Sequence, residues 1–237
     1  MIAVFVNMAA VIIGSLAGIL FRRRISKRYT DTIVSALGLI TAVTAIMSAV
    51  KSQNFLCLVI CMVAGTALGT LLKIEERING AGELIKSKLL RGKDTGGNFA
   101  EGFVSACVLF CVGSMTVTGS FEAGINHDYS IIFTKSALDF VSSLIMGAAL
   151  GFGVTCSALF ILVFQGGLTL LSGVLAPLLD AETVTEMSAV GGAVLIGTAL
   201  NILDLSPKKI ATANMIPAVL LPMAYMPLER FIGGLIG

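Results

Sequence analysis

From Phe140 to Leu179 the chain runs for 40 residues without one Asp, Glu, Lys, Arg or His. A helical crossing of a bilayer takes roughly 20 residues. The stretch therefore reads as two crossings joined by a tight turn, and Gly151-Phe152-Gly153 near its middle supplies the turn. Composition supports this. Only 13% of the 237 residues are charged, 56% are hydrophobic, and the mean hydropathy is +0.96. A soluble domain carries about 25% charge and leaves much of its surface exposed, so a water-soluble globule is excluded. The 26 glycines fit a membrane, where small residues let helices approach closely.

Apolar segments of spanning length predict helices at about 2–21, 33–50, 55–72, 101–121, 132–151, 154–176, 187–203 and 210–227. Met1 to Phe21 is uncharged and is followed by Arg22-Arg23-Arg24, the reverse of a secretory signal, so the first segment is expected to be a retained helix. Segment 73–98 differs from the rest. Its Ile74, Ile78, Ile85 and Leu89 recur at helical spacing among charges, which predicts an amphipathic helix in the membrane interface.

Eight helices with the N-terminus outside put loops 22–32, 73–98 and 204–209 in the cytoplasm, where they hold 13 of the 16 basic residues. The proposed outer loops carry Glu122, Asp128, Asp180, Glu182 and Glu186. The positive-inside rule favours this orientation, with both termini outside.

The halves resemble each other. Gly65-Thr66-Ala67-Leu68 recurs 132 positions later as Gly197-Thr198-Ala199-Leu200, and Ile13-Gly14 with Gly18 matches Met146-Gly147 with Gly151. Gly38-Leu39 aligns loosely with Gly167-Leu168. The expected architecture is all-α and integral to the membrane: about eight transmembrane helices as two parallel four-helix repeats, with the amphipathic helix between the third and fourth. Residues 1–72 plus 99–125 form the first repeat, 73–98 the insertion, and 132–237 the second repeat.

Polar residues inside such segments are costly and so mark candidate sites. GSMTVTGS, residues 113–120, brings Ser114, Thr116, Thr118 and Ser120 into eight positions with two glycines; the eighth helix has Pro217, Pro222 and Pro227. Both are expected to break. Either the breaks line a cavity, or these are kinked packing helices whose hydroxyls bond their own backbone. Asp139 follows Lys135 by four residues and can pair with it on one helical face, as a functional acid or as an interface ion pair. Gln165 lies deep in the charge-free run, and Asn201 and Asn214 flank a Ser-Pro-Lys-Lys turn as substrate ligands or as helix caps. Cys57/Cys61 and Cys107/Cys111 are each spaced by four, so either pair can face one metal, although small packing residues are the ordinary expectation. The one histidine, His127, supports neither a metal cluster nor a Ser-His dyad, and no hydrolase, dinucleotide or phosphate-loop motif occurs. No enzyme, no resident metal or other cofactor and no nucleic-acid binding are expected.

VGSMTVTGSFEAG at 112–124, KSALDF at 135–140, LVFQGGLTLL at 162–171, EMSAVGG at 186–192 and ANMIPA at 213–218 resemble a bacterial membrane protein family known as domain of unknown function 554, the YqgA-like proteins. The likeness covers essentially the whole chain. One conservative departure is ANMIP at 213–217, where ANLLP is commoner. The resemblance implies a transporter-like architecture without an assigned substrate.

The expected function is transport or conduction of a small polar solute or ion across the bacterial inner membrane, along a path near the repeat interface. The expected substrate-binding residues are Ser114, Thr116, Thr118, Ser120, Asp139, Gln165, Asn201 and Asn214. The partners are the lipid bilayer and that solute, with homo-oligomerisation open; the alternative is a non-transporting scaffold that binds a partner through the 73–98 helix. In a chain stripped of its own cysteines, Ile125→Cys should react with an impermeant maleimide from the periplasm and Leu90→Cys only from the cytoplasm. Labelling of both from one side rules out the eight-helix topology.

Overall fold

The computed structural model describes residues 1–22, 27–89, 99–111 and 113–236. Among these, all regular structure is helical. In chain order the helices are α1 (Ile2–Arg22), α2 (Lys27–Ala49), α3 (Phe55–Leu71), α4 (Ile74–Leu89), α5 (Phe99–Cys111), α6 (Ser114–Phe121), α7 (Ser130–Leu150), α8 (Phe152–Leu175), α9 (Ala181–Ile202), α10 (Ile216–Leu220) and α11 (Pro222–Ile236). Five are long and apolar enough to cross a membrane, and the bent pairs α3–α4, α5–α6 and α10–α11 raise the number to as many as eight. Large apolar side chains are bare, among them Leu71 at 79% and Val174 at 74% exposure. Water would penalise that surface; lipid tails do not.

Close backbone approach organises the bundle. A Cβ on Gly14 would fall 2.5 Å from the Phe140 carbonyl oxygen, and one on Gly18 would fall 2.0 Å from that of Leu144. Gly147 presses in return on Ser15, where a Cβ would lie 2.4 Å from the carbonyl oxygen. Contacts advance in the same direction along both helices, so α1 and α7 run parallel. Parallel spans need an odd number of crossings between them, which α2 and the bent pairs α3–α4 and α5–α6 supply when each pair counts as one span. Helix α8 folds back on both through Gly151, whose φ of 79° suits only a residue without a side chain.

The chain ends of the helices collect on two faces. Near Met1 lie residues 50–54, 122–129, 176–181 and 229–230, joined by Ser52 to Glu186, Asn54 to Glu229 and Arg230 to Asp180. Near Arg22 lie 72–75, 99–101, 150–152 and 203–214, joined by Arg22 to the Ala149 carbonyl, Lys209 to Glu101 and Glu75 to Asn214.

Several boundaries differ from the sequence reading. Helix α9 begins at Ala181, six residues before the expected 187, because the Asp180 carboxylate caps it by accepting from Thr183 N at 2.8 Å. The predicted 210–227 helix is a 3₁₀ turn over Thr212–Met215 followed by α10 and α11, which bend by 42° and extend to Ile236. The fourth segment bends by 57° ahead of Ser114, so 114–121 is itself helical and the break precedes it. Ile74 and Ile78 of α4 pack against the apolar cluster of α5, α9 and α10; residues 90–98 and the Ile85 and Leu89 side chains lie outside the described residues.

Gly18→Ala should lower stability in detergent by about 2 kcal/mol, because the Leu144 backbone cannot retreat. Gly167→Ala, placed in open space on the same bundle, should change it by less than about 0.5 kcal/mol. Thermal unfolding of the two variants checks the pair, and equal effects would remove the parallel crossing as the organising contact.

Candidate functional site

Asn7 enters from α1, Lys135 and Asp139 from α7, and Gln165 from α8. All four are buried; Asn7 and Gln165 have no exposure at all. The α1–α7 crossing brings them together, since the close approach at Gly14 and Gly18 leaves no room for lipid between the helices. Lys135 and Asp139 form an ion pair one turn apart. Asn7 Nδ2 donates to Gln165 Oε1 at 3.0 Å, and its amide also interacts with the Asp139 carboxylate. Two atoms remain without a protein partner: Asn7 Oδ1, an acceptor, and Gln165 Nε2, a donor.

The bent fourth span borders this cluster. Lys135 Nζ sits 5.9 Å from the centroid of the Phe110 ring, one residue before α5 ends. A helix C-terminus carries partial negative charge on its unpaired carbonyls, which favours a nearby ammonium. The aromatic face adds to that attraction. A buried ion pair must recover several kcal/mol of lost hydration per ion. Asp139 and the Phe110 ring together supply compensation for Lys135.

The eight sequence-predicted residues divide among separate places. Asp139 and Gln165 belong to the polar cluster. Thr116 and Ser120, on the neighbouring α6, bond backbone carbonyls instead, those of Phe110 at 2.9 Å and Thr116 at 2.6 Å. Thr118 lines a cavity of about 350 Å³ on the Met1 face, with Glu122, Asn126 and Ala181. The Ser114 side chain lies outside the described residues.

Asn201 and Asn214 sit on the opposite face. Asn201 exchanges two hydrogen bonds with the backbone of Ile210, at 2.8 and 2.9 Å, and borders a cavity of about 120 Å³ with Glu75, Glu101 and Lys209. Asn214 Oδ1 accepts from Glu75 N at 2.8 Å, while the Glu75 carboxylate accepts from Ala213 N at 3.0 Å. These amides fasten the 203–214 connection to α9 and α4.

Asn7 and Glu186 are buried polar residues that the sequence reading did not place among the candidates. Asn7 was visible as the one amide in an otherwise apolar opening segment, yet its depth in the bundle depends on α7 and α8. Glu186, expected in an outer loop, is wholly buried one turn into α9. Its carboxylate accepts from Ser52 Oγ at 2.7 Å, Gln53 N at 2.6 Å and Asn54 N at 2.9 Å, so it satisfies the backbone entering α3. Nearby, the Arg230 guanidinium, then the Thr183 N–H, hold the Asp180 carboxyl down at about 2. A depressed carboxyl contributes stability above the ordinary carboxylate range and loses it only as pH falls toward that value. The α9–α11 tie is therefore intact at neutral pH.

Over residues 2–227 the chain matches the family described as "Protein of unknown function (DUF554)". The chain belongs to this family. It is 29% identical over 220 residues to the uncharacterized membrane protein YdfK of Bacillus subtilis (strain 168), covering 91% of each chain. It is 30% identical over 223 residues to the uncharacterized protein YqgA of Escherichia coli (strain K12), covering 92% of this chain and 93% of that one. No solved structure matches it. The membrane character read from composition and from the bare apolar helices agrees with the description of YdfK as a membrane protein.

Lys135→Leu or Asp139→Leu alone should each cost about 3–5 kcal/mol, because either leaves one buried charge without its partner. The double substitution should recover most of that loss. A double-mutant cycle on thermal unfolding in detergent checks this, and harmless single substitutions would show that the pair is solvated.

Proposed function

We propose that this protein moves a small polar solute or ion across the bacterial inner membrane, with Asn7, Lys135, Asp139 and Gln165 at the polar centre of the path. One observation carries the reading: an ion pair inside the bundle is joined to two buried amide atoms without protein partners, beside a span that bends. An unsatisfied buried polar atom costs on the order of 1–3 kcal/mol. Asn7 Oδ1 and Gln165 Nε2 are complementary in hydrogen bonding, and water or a solute bearing both a donor and an acceptor satisfies them together. Bent helices beside such a centre are a recurrent feature of transporters.

The reading includes two parallel repeats, 1–72 with 99–125 and 132–237. The parallel course of α1 and α7 supports it, as do the bent fourth spans α5–α6 and α10–α11 at corresponding places in each half. It also places both termini outside, with the basic Arg22 face in the cytoplasm, and treats α4 as a helix along the membrane surface. We read the protein as non-enzymatic. The alternative, a scaffold that recruits a partner through 73–98, is weakened because Ile74 and Ile78 already pack inside this chain.

Purified protein in liposomes should give a solute-dependent flux or current with at least one member of a panel of ions and small polar solutes. Gln165→Ala and Asp139→Asn should each reduce it about tenfold or more while the protein remains folded by size exclusion. Silence across the panel overturns the transport reading. Unchanged flux in folded Gln165→Ala assigns the cluster a structural role.

A further inference from the structure

The five cysteines are all free. Two face each other on one side of a helix. Cys57 and Cys61 lie one turn apart on α3 with their sulfurs 3.8 Å from each other, and both are buried to within 1%. A disulfide holds its sulfurs about 2 Å apart, so this pair is not one. Met226 of α11, 2% exposed, packs into the same buried cluster with Val190 and Ala218. Two thiols from one helix and a thioether-bearing side chain from another thus pack in one apolar cluster.

The spacing has a chemical meaning. With metal–sulfur bonds of about 2.3 Å, trigonal or tetrahedral angles set neighbouring sulfurs about 4 Å apart. The observed separation lies in that range and well short of what a linear two-coordinate centre needs. Among the described residues no three His, Cys, Asp or Glu side chains are placed to share a metal. Ions that require nitrogen or oxygen to complete their shell therefore lack a ligand set here. A thioether completes the set only for a soft ion.

Cys57 is the third residue of α3, on the side of the Met1 face, where the Glu186 carboxylate accepts from Ser52 Oγ, Gln53 N and Asn54 N and the Glu229 carboxylate accepts from Asn54. Carboxylates this near favour a cation over an anion.

We infer that Cys57, Cys61 and Met226 form a binding site for a soft monovalent cation, Cu(I) or Ag(I), entered from the Met1 face. Each thiol that ligates gives its proton to the aqueous phase, and the ion keeps its oxidation state. The site is separate from the Lys135–Asp139 cluster and does not depend on transport.

The test uses full-length protein in detergent carrying Cys107→Ser, Cys111→Ser and Cys156→Ser, titrated with Cu(I) against a chromophoric chelator. The expected result is one equivalent per chain, abolished by Cys57→Ser or Cys61→Ser and weakened roughly tenfold or more by Met226→Leu. X-ray absorption should show sulfur neighbours alone. If the triple substitution does not fold, the same titration compares the natural chain with Cys61→Ser, which should bind one equivalent fewer. Absence of stoichiometric binding in folded protein, an undiminished stoichiometry in Cys61→Ser, an unchanged affinity in Met226→Leu, or equal affinity for Zn(II) each overturns the site.

Discussion

The backbone-to-backbone crossing of α1 on α7 is the contact on which the rest depends. In lipid there is no hydrophobic gain from pressing one apolar helix against another, so close packing and polar contacts must hold the pair. Gly14, Gly18 and Gly147 remove the side chains that would keep the axes apart. Because the two helices run parallel, Asn7 and Asp139 come to similar depth on facing sides. Helix α8, returned by Gly151, then completes the cluster with Gln165. A side chain at Gly18 would separate the helices and expose an ion pair to lipid.

The two faces solve a related problem differently. Helix ends leave backbone groups without partners, and several of these ends are buried. On the Met1 face the Glu186 carboxylate satisfies the entry to α3, and Asn54 both caps that helix and holds Glu229. On the Arg22 face neutral amides do much of the work, Asn201 for Ile210 and Asn214 for Glu75. The polar residues of this chain therefore have two kinds of employment. Most of those at helix ends are held by backbone or by a neighbouring side chain, with the buried Thr183 hydroxyl the exception. Asn7, in the second turn of α1, and Gln165, near the middle of α8, retain unpaired atoms, which is why the functional reading rests on them and not on the asparagines of the loops.

Much of this was legible in the residues. The charge-free run from Phe140 to Leu179 already implied two antiparallel helices and a glycine turn. The i, i+4 spacing of Lys135 and Asp139 implied their pairing, and family membership followed from several short stretches. Other features were not legible. The hydroxyls of 114–120 looked like a ligand set, but a hydroxyl in lipid takes a nearby carbonyl, that of Phe110 at the end of α5 for Thr116 and that of Thr116 in the same helix for Ser120. Glu186 looked like a loop residue because hydropathy cannot register that Asp180 starts the helix six residues earlier.

What the sequence determined alone is the class of solvent and the local geometry: helices of spanning length, where they turn, and which charges sit within one turn of each other. Those depend on hydropathy and on spacing along one helix, both local quantities. Tertiary structure alone decided which buried polar atoms meet. Asn7 and Gln165 are 158 positions apart, and their contact depends on where Gly14 and Gly18 let two backbones touch. The same holds for Met226 beside Cys57 and Cys61, since nothing within either segment encodes the rotation that α3 and α11 adopt against each other.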